Sequence, residues 1–157
     1  MPRNPIMAFE DLPREPLYGR EEIDRINPQR FEMAQVTAIT HLDIEGGVVV
    51  AYKDVRADEF WVRGHMPDFP LLPGVLMIES AAQVGSFLIV QHPIFKGDFV
   101  GLGGVDKARF RGSVRPGDRL WLVGKAKKFS NRVMTFDFQG FVNGKLVFEA
   151  ELIGVPI

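Results

Sequence analysis

One stretch governs what this chain can become. From Val75 to Gln91 it reads VLMIESAAQVGSFLIVQ, with no proline and with Glu79 as its single charge. Such a run is a helix. Its apolar residues fall on almost every side, so it has to be enclosed by the rest of the chain on most of its surface.

What can enclose it is legible on both sides. Met33 to Ile44 and Val48 to Val55 are rich in β-branched residues, and Glu45-Gly46-Gly47 between them predicts a hairpin. After the helix, Phe99 to Val105, Ala108 to Val114, Leu120 to Lys128, Val133 to Val142 and Lys145 to Ile153 all have strand composition. Pro116-Gly117-Asp118 marks one turn, and Asn143-Gly144 is the strongest hairpin signal in the chain. A hairpin, one buried helix and a run of antiparallel strands predict an α+β fold, a curved antiparallel sheet wrapped around one long central helix. No internal repeat or low-complexity segment interrupts it.

The chain has 157 residues, 46% hydrophobic and 25% charged, which suits one domain with a modest core. Residues 1–19 hold four prolines and little periodicity. They are expected to form an extended arm, packed on the body or on a partner, before a domain spanning 20–157. Glu21 to Ile26 is expected to form a helical turn or two, ended by Pro28. The N-terminus carries prolines and charges and lacks the apolar run of a signal peptide. The apolar stretches are interrupted well short of a membrane span. A cytoplasmic protein without membrane insertion is the expectation. A net charge of −1 gives no general attraction to nucleic acid or anionic membrane. Without cysteine, disulfides, thiolate nucleophiles and cysteine metal sites are excluded. The three histidines lack metal-ligand spacing with a carboxylate, so no metal is expected. His41, in a strand, and His92, before Pro93 at the helix end, are read as structural, and Trp61 and Trp121 as core or interface residues. Gly101-x-Gly103-Gly104 is too weak a pattern for a nucleotide site.

The chemistry concentrates between Arg63 and Gln83, RGHMPDFPLLPGVLMIESAAQ. His65 lies in a loop stiffened by Pro67, Pro70 and Pro73, whose apolar filling favours burial. Gly74 follows Pro73 at the start of the helix. Glu79 is about a turn and a half further on, among Met77, Ile78, Ala81 and Ala82, and a carboxylate in such company needs a partner or a task. Gln83, four residues on, shares its face and could orient it. Each residue also has a plain reading: a loop histidine that packs, a helix start, a dipole partner.

Taken together, GHMPDFPLLPGVLMIESAAQ resembles the signature GHFPxxPxxPGVLxxEAxAQ of the 3-hydroxyacyl-acyl-carrier-protein dehydratases of the FabZ type. Gly104-Val105-Asp106-Lys107-Ala108-Arg109-Phe110 with Val114-Arg115-Pro116-Gly117-Asp118 is similar to that family's G(I/V)DxARF and VxPGD block. Val142-Asn143-Gly144-Lys145-Leu146-Val147 is similar to its VDGKxV. Pro28-Gln29-Arg30-Phe31 resembles an early PHR(Y/F) element, with Gln29 in place of the usual histidine. The resemblance runs in order from about residue 20 to 153.

It implies a hot-dog fold that dimerises, often as a trimer of dimers. It also implies an active site at the dimer interface, with His65 of one subunit facing Glu79 of the other. The activity implied is loss of water from 3-hydroxyacyl thioesters on acyl carrier protein, giving trans-2-enoyl thioesters in fatty acid or related lipid synthesis, with no cofactor. His65 would take the α-proton, the Gly74 N–H would meet the thioester oxygen, and Glu79 would protonate the leaving hydroxyl. Val75, Gln83, Met66 and Leu102 would join Gly74 in contacting substrate. Met66 stands where the family has Phe, Asp68-Phe69 replaces a pair that is often small then basic, and Phe99-Val100-Gly101-Leu102 replaces aromatics at the tunnel mouth. These departures bear on chain length, gate and carrier, as does the longer N-terminal arm.

From Asp106 to Arg132 nine basic residues face two acidic ones. The resemblance places this block near the tunnel mouth, where Arg111, Arg115 and Lys128 would receive an acidic carrier. The alternatives are an acyl thioesterase on the same fold and a non-enzymatic acyl-binding protein. The paired His65 and Glu79 favour elimination over hydrolysis.

Overall fold

The computed structural model describes residues 3–157. Six strands form one antiparallel sheet in the order β1-β2-β4-β5-β6-β3. They are β1 (Ala38–Asp43), β2 (Val48–Asp54), β3 (Val100–Phe110), β4 (Arg119–Phe129), β5 (Met134–Val142) and β6 (Lys145–Pro156). The long helix α2 (Gly74–Ile89) crosses the inner face, and a short helix α1 (Arg20–Ile26) precedes the sheet.

Side-chain alternation along the strands divides the apolar residues between two faces. Val49, Ala51, Leu120, Leu122, Phe136, Phe138, Phe148, Ala150 and Leu152 join one core with Leu76, Met77, Ala81, Val84, Phe87 and Leu88 of α2. Most of α2 from Leu76 onward is buried, as its all-round apolar character requires. On the outer face Val50, Tyr52, Trp121, Val123 and Phe141 form a second cluster.

The N-terminal arm covers that second cluster. Leu12 is buried there, with Ile6, Met7 and Phe9 packed beside it. Gln139, buried on β5, accepts from the Ile6 N–H at 2.8 Å and donates to the Asn4 carbonyl at 3.0 Å. Arg14 lies over the rings of Phe9 and Trp121. The arm is not extended throughout: Phe9–Asp11 makes a 3₁₀ turn. Its far end bridges Tyr18 to Ile39, so the β1 edge of the sheet is partly occupied.

Three sequence expectations change. The strand expected from Met33 begins at Ala38, because Phe31–Met33 forms a 3₁₀ turn and the Gln35 N–H bonds the Gln83 side chain instead of a strand. The two strands expected at 99–105 and 108–114 are one, β3, which continues through a bulge with Lys107 at φ 53°. The proline-spaced loop is exposed from Arg63 to Phe69 rather than buried. The Asn143-Gly144 turn has positive φ at both residues, 49° and 79°, as a tight two-residue hairpin demands.

Candidate active site

His65 sits in the exposed loop ahead of α2, and its Nδ1 is 2.8 Å from the Leu71 carbonyl oxygen. A carbonyl can only accept, so Nδ1 carries a hydrogen in this contact, and in the neutral imidazole Nε2 is the nitrogen that keeps its lone pair. The loop is fixed at both ends. The His65 N–H donates to the Trp61 carbonyl, the Leu71 N–H to the His65 carbonyl, and the Leu72 N–H to the Val114 carbonyl, each at 2.8 Å.

Pro73 gives α2 its start: its carbonyl accepts from the N–H groups of Leu76 and Met77. Among the described residues the N–H groups of Gly74 and Val75 have no acceptor, as expected of a first helical turn. A Cβ at Gly74 would lie 2.9 Å from the Phe110 ring, so a larger residue there would have to displace that ring. His65, Gly74, Val75 and Phe110 line one open cleft of about 390 Å³. Val75 is 71% exposed beside it.

Glu79 borders a different cleft, of about 170 Å³, between α2 and strands β3, β5 and β6. Leu102, Ile89, Phe136, Phe138 and Leu152 give it an apolar wall. Gly74 and Glu79 are five residues apart on the helix, so they point to different sides of it. In one chain, therefore, His65 and Glu79 do not share a cavity.

Glu79 is held from below. Gln83 Nε2 donates to Glu79 Oε1 at 2.8 Å and to the Met33 carbonyl at 2.7 Å, while Gln83 Oε1 accepts from the Gln35 N–H at 2.9 Å. Gln83 is 1% exposed. Both amide hydrogens are thus committed within the chain, one to Glu79 and one to Met33. Gln29 Oε1 and Ser86 Oγ, also on this cleft, are buried without a hydrogen-bond partner. Sequence reasoning noted Gln29 only as a departure and did not single out Ser86; neither belongs to a pattern that announces chemistry.

The remaining expected residues scatter. Met66 is half exposed in the His65 loop. Arg115 lies over the Phe69 ring at 4.5 Å, close to that loop in space. Arg111 is paired at 3.2 Å with the buried carboxylate of Glu149. Lys128 is at the far end of β4, roughly 30 Å along the strand from its start near Arg115. In one chain the three do not form one basic rim. Much of the surrounding positive charge is also answered internally: Lys127 hydrogen-bonds Glu151 at 2.6 Å, and this bond holds the Glu151 carboxyl below its ordinary range. Among the described residues no group of three or more metal-binding side chains occurs, and no helix is long and apolar enough to cross a membrane.

Residues 27–151 match a family model described as the FabA-like domain. Proteins named 3-hydroxyacyl-[acyl-carrier-protein] dehydratase FabZ are similar over most of their length. That of Clostridium botulinum (strain Loch Maree / Type A3) is 42% identical over 134 residues, covering 85% of this chain and 92% of the relative. That of Clostridium beijerinckii is 38% identical over 133 residues, covering 84% and 94%. Among solved structures, the dehydratase heterocomplex ApeI:P from Xenorhabdus doucetiae superposes with a TM-score of 0.72 at 16% identity, covering 86% of this chain and 90% of that one. A hypothetical thioesterase with coenzyme A from Streptococcus pneumoniae TIGR4 superposes at 0.62 and 13% identity, covering 86% and 94%. At such identities these two likenesses speak for the fold alone.

Proposed function

The chain belongs to the FabA-like family as a FabZ-type dehydratase of hot-dog fold, and from this premise we infer that it removes water from 3-hydroxyacyl thioesters on acyl carrier protein to give trans-2-enoyl thioesters. The observation that carries the reading is the fixed His65 imidazole, its Nδ1 tied to Leu71 and its Nε2 left free, in one cleft with the Gly74 N–H.

The chemistry follows from those positions. An α-proton beside a thioester is weakly acidic, and its removal builds negative charge on the carbonyl oxygen. His65 Nε2 accepts that proton. The Gly74 N–H, at the positive end of α2, meets the oxygen as its charge grows. The 3-hydroxyl leaves only when protonated, and Glu79 gives it the proton. The C–O bond then breaks, its electrons remain on the departing water, and the enolate closes to the 2-enoyl thioester. The small apolar cleft beside Glu79 takes the acyl chain.

His65 and Glu79 complete one site when two chains associate, the cleft of one meeting the carboxyl of the other. Support for a homodimer comes from the surface. The outer edge of β3 has no strand partner among the described residues, and Leu102 and Phe110 on it are half exposed. Met66, Phe69 and Val75 add exposed apolar surface near the start of α2. A long open edge with an apolar border is a surface that proteins cover.

The test offers purified protein a 3-hydroxyacyl and a plain acyl thioester on the same carrier. Absorbance of the conjugated product should rise with the first, and no free thiol should appear with either. Thiol release without enoyl product would make it a thioesterase, and silence in both would leave an acyl-binding protein.

A further inference from the structure

The turn after α1 is built by Arg30. Its Nη1 donates to the carbonyls of Asn27 at 2.7 Å and Gln29 at 2.9 Å, and its Nη2 to that of Asp24 at 2.6 Å. Asn27, buried, donates from Nδ2 to the Gln83 carbonyl at 2.9 Å. The backbone at Gln29 is thereby tied to α1 through Arg30 and to α2 through Asn27, beside the residue that holds Glu79.

Among the described residues the Gln29 carboxamide makes no hydrogen bond, and Oε1 is buried without a donor. It nonetheless lines the cleft that Glu79 lines, against a wall that is otherwise mostly apolar. Folded proteins rarely leave a buried amide oxygen unanswered, and the exceptions call for an explanation in function. A fixed backbone with an uncommitted polar end is what a ligand contact requires.

We propose that Gln29 hydrogen-bonds the substrate's 3-hydroxyl and so orients it toward Glu79. The inference rests on the dehydratase reading above and adds a residue to it. A hydroxyl that is to be protonated must turn a lone pair to the acid, and its own hydrogen must then point elsewhere. Gln29 Oε1 receives that hydrogen. The terminal torsion of a glutamine is broad and nearly two-fold. The oxygen therefore turns into the cleft without surrendering a bond within the chain. After the C–O bond breaks, the water formed keeps the same contact. This makes Gln29 a determinant of specificity for 3-hydroxyacyl over unsubstituted acyl chains.

The experiment compares the wild type with Gln29→Leu and with Gln29→Met, which keeps the length of the side chain and removes only the amide. Two quantities are measured: kcat/KM for dehydration of a 3-hydroxyacyl thioester, and the dissociation constant of the saturated acyl thioester of equal length. Loss of one hydrogen bond should lower kcat/KM by roughly three- to tenfold in both variants. The affinity for the saturated ligand should not move. An unchanged kcat/KM would overturn the proposal, and so would equal weakening for both ligands, which a merely structural role would produce. A wild type that dehydrates nothing would instead remove the functional reading on which the proposal stands.

Discussion

Glu79 and Gln83 sit one turn apart on α2, joined by a hydrogen bond of 2.8 Å in which the amide donates to Glu79 Oε1. On the proposed mechanism, an Oε1 that already accepts this hydrogen leaves Oε2 to carry the proton that Glu79 would give. The same amide reaches the Met33 carbonyl and accepts from the Gln35 N–H, so the carboxyl is registered against the segment leading into β1.

Replacing Gln83 with Leu should therefore cost stability and turnover together. The Gln35 N–H loses its partner in a buried setting, at about 1–3 kcal/mol, and the part-buried bond to the Met33 carbonyl is lost with it. Glu79 also loses its orientation. Denaturant unfolding should show the first effect, and a fall in kcat of at least about tenfold the second. A variant with normal kcat would show that Glu79 is positioned by other means.

His65 and Glu79 should separate cleanly from such support. Neither belongs to the packed core: His65 lies in an exposed loop, and Glu79 faces a cleft. His65→Ala and Glu79→Gln should each lower turnover by roughly two to four orders of magnitude, the scale of general acid–base help. Their unfolding midpoints should stay near that of the wild type. Near-normal dehydration by either variant would remove it from the mechanism.

The separate clefts of His65 and Glu79 in one chain lead to a test of assembly. If two subunits share each site, a mixed dimer of His65→Ala and Glu79→Gln chains has one intact site and one doubly damaged site. Refolding the two inactive proteins together should restore part of the activity. No recovery, with mixed dimers demonstrated by mass, would place both groups in one subunit.

Much of this architecture is legible in the chain because local and global signals agree. The helix from Val75 is unmistakable, since nothing else accommodates an apolar run of that length without proline. The Asn143-Gly144 turn follows from backbone sterics alone. What the sequence hides is of two kinds. Where a strand bulges, as at Lys107, period-two alternation breaks, and one strand looks like two. Where the chain is held by a distant side chain, as Gln35 is by Gln83, composition still favours a strand that the tertiary bond prevents. The signature motif locates His65, Gly74 and Glu79, yet it is silent on the Leu71 carbonyl that sets the histidine tautomer, because a backbone acceptor leaves no mark in residue type.

Of the three basic residues expected to receive an acidic carrier, the structure leaves one well placed. Arg111 is committed to Glu149, and its replacement would strand a buried carboxylate, so its loss would report on folding. Lys128 stands at the far end of β4. Arg115 is the remaining candidate: exposed, in the turn before β4, with its guanidinium over Phe69 in the loop that carries His65. An acidic carrier arriving at that loop would be steered by such a charge, and added salt would screen the attraction. Arg115→Glu should lower kcat/KM for carrier-bound substrate and flatten its dependence on ionic strength. A short, uncharged thioester mimic should be turned over at nearly the wild-type rate, because it has no carrier to steer. Lys128→Glu provides the comparison, with a smaller effect expected on the carrier-bound substrate. An equal fall on carrier-bound substrate and mimic would mean that Arg115 serves the loop through Phe69, and a larger effect at Lys128 would move the docking surface to the other end of the sheet.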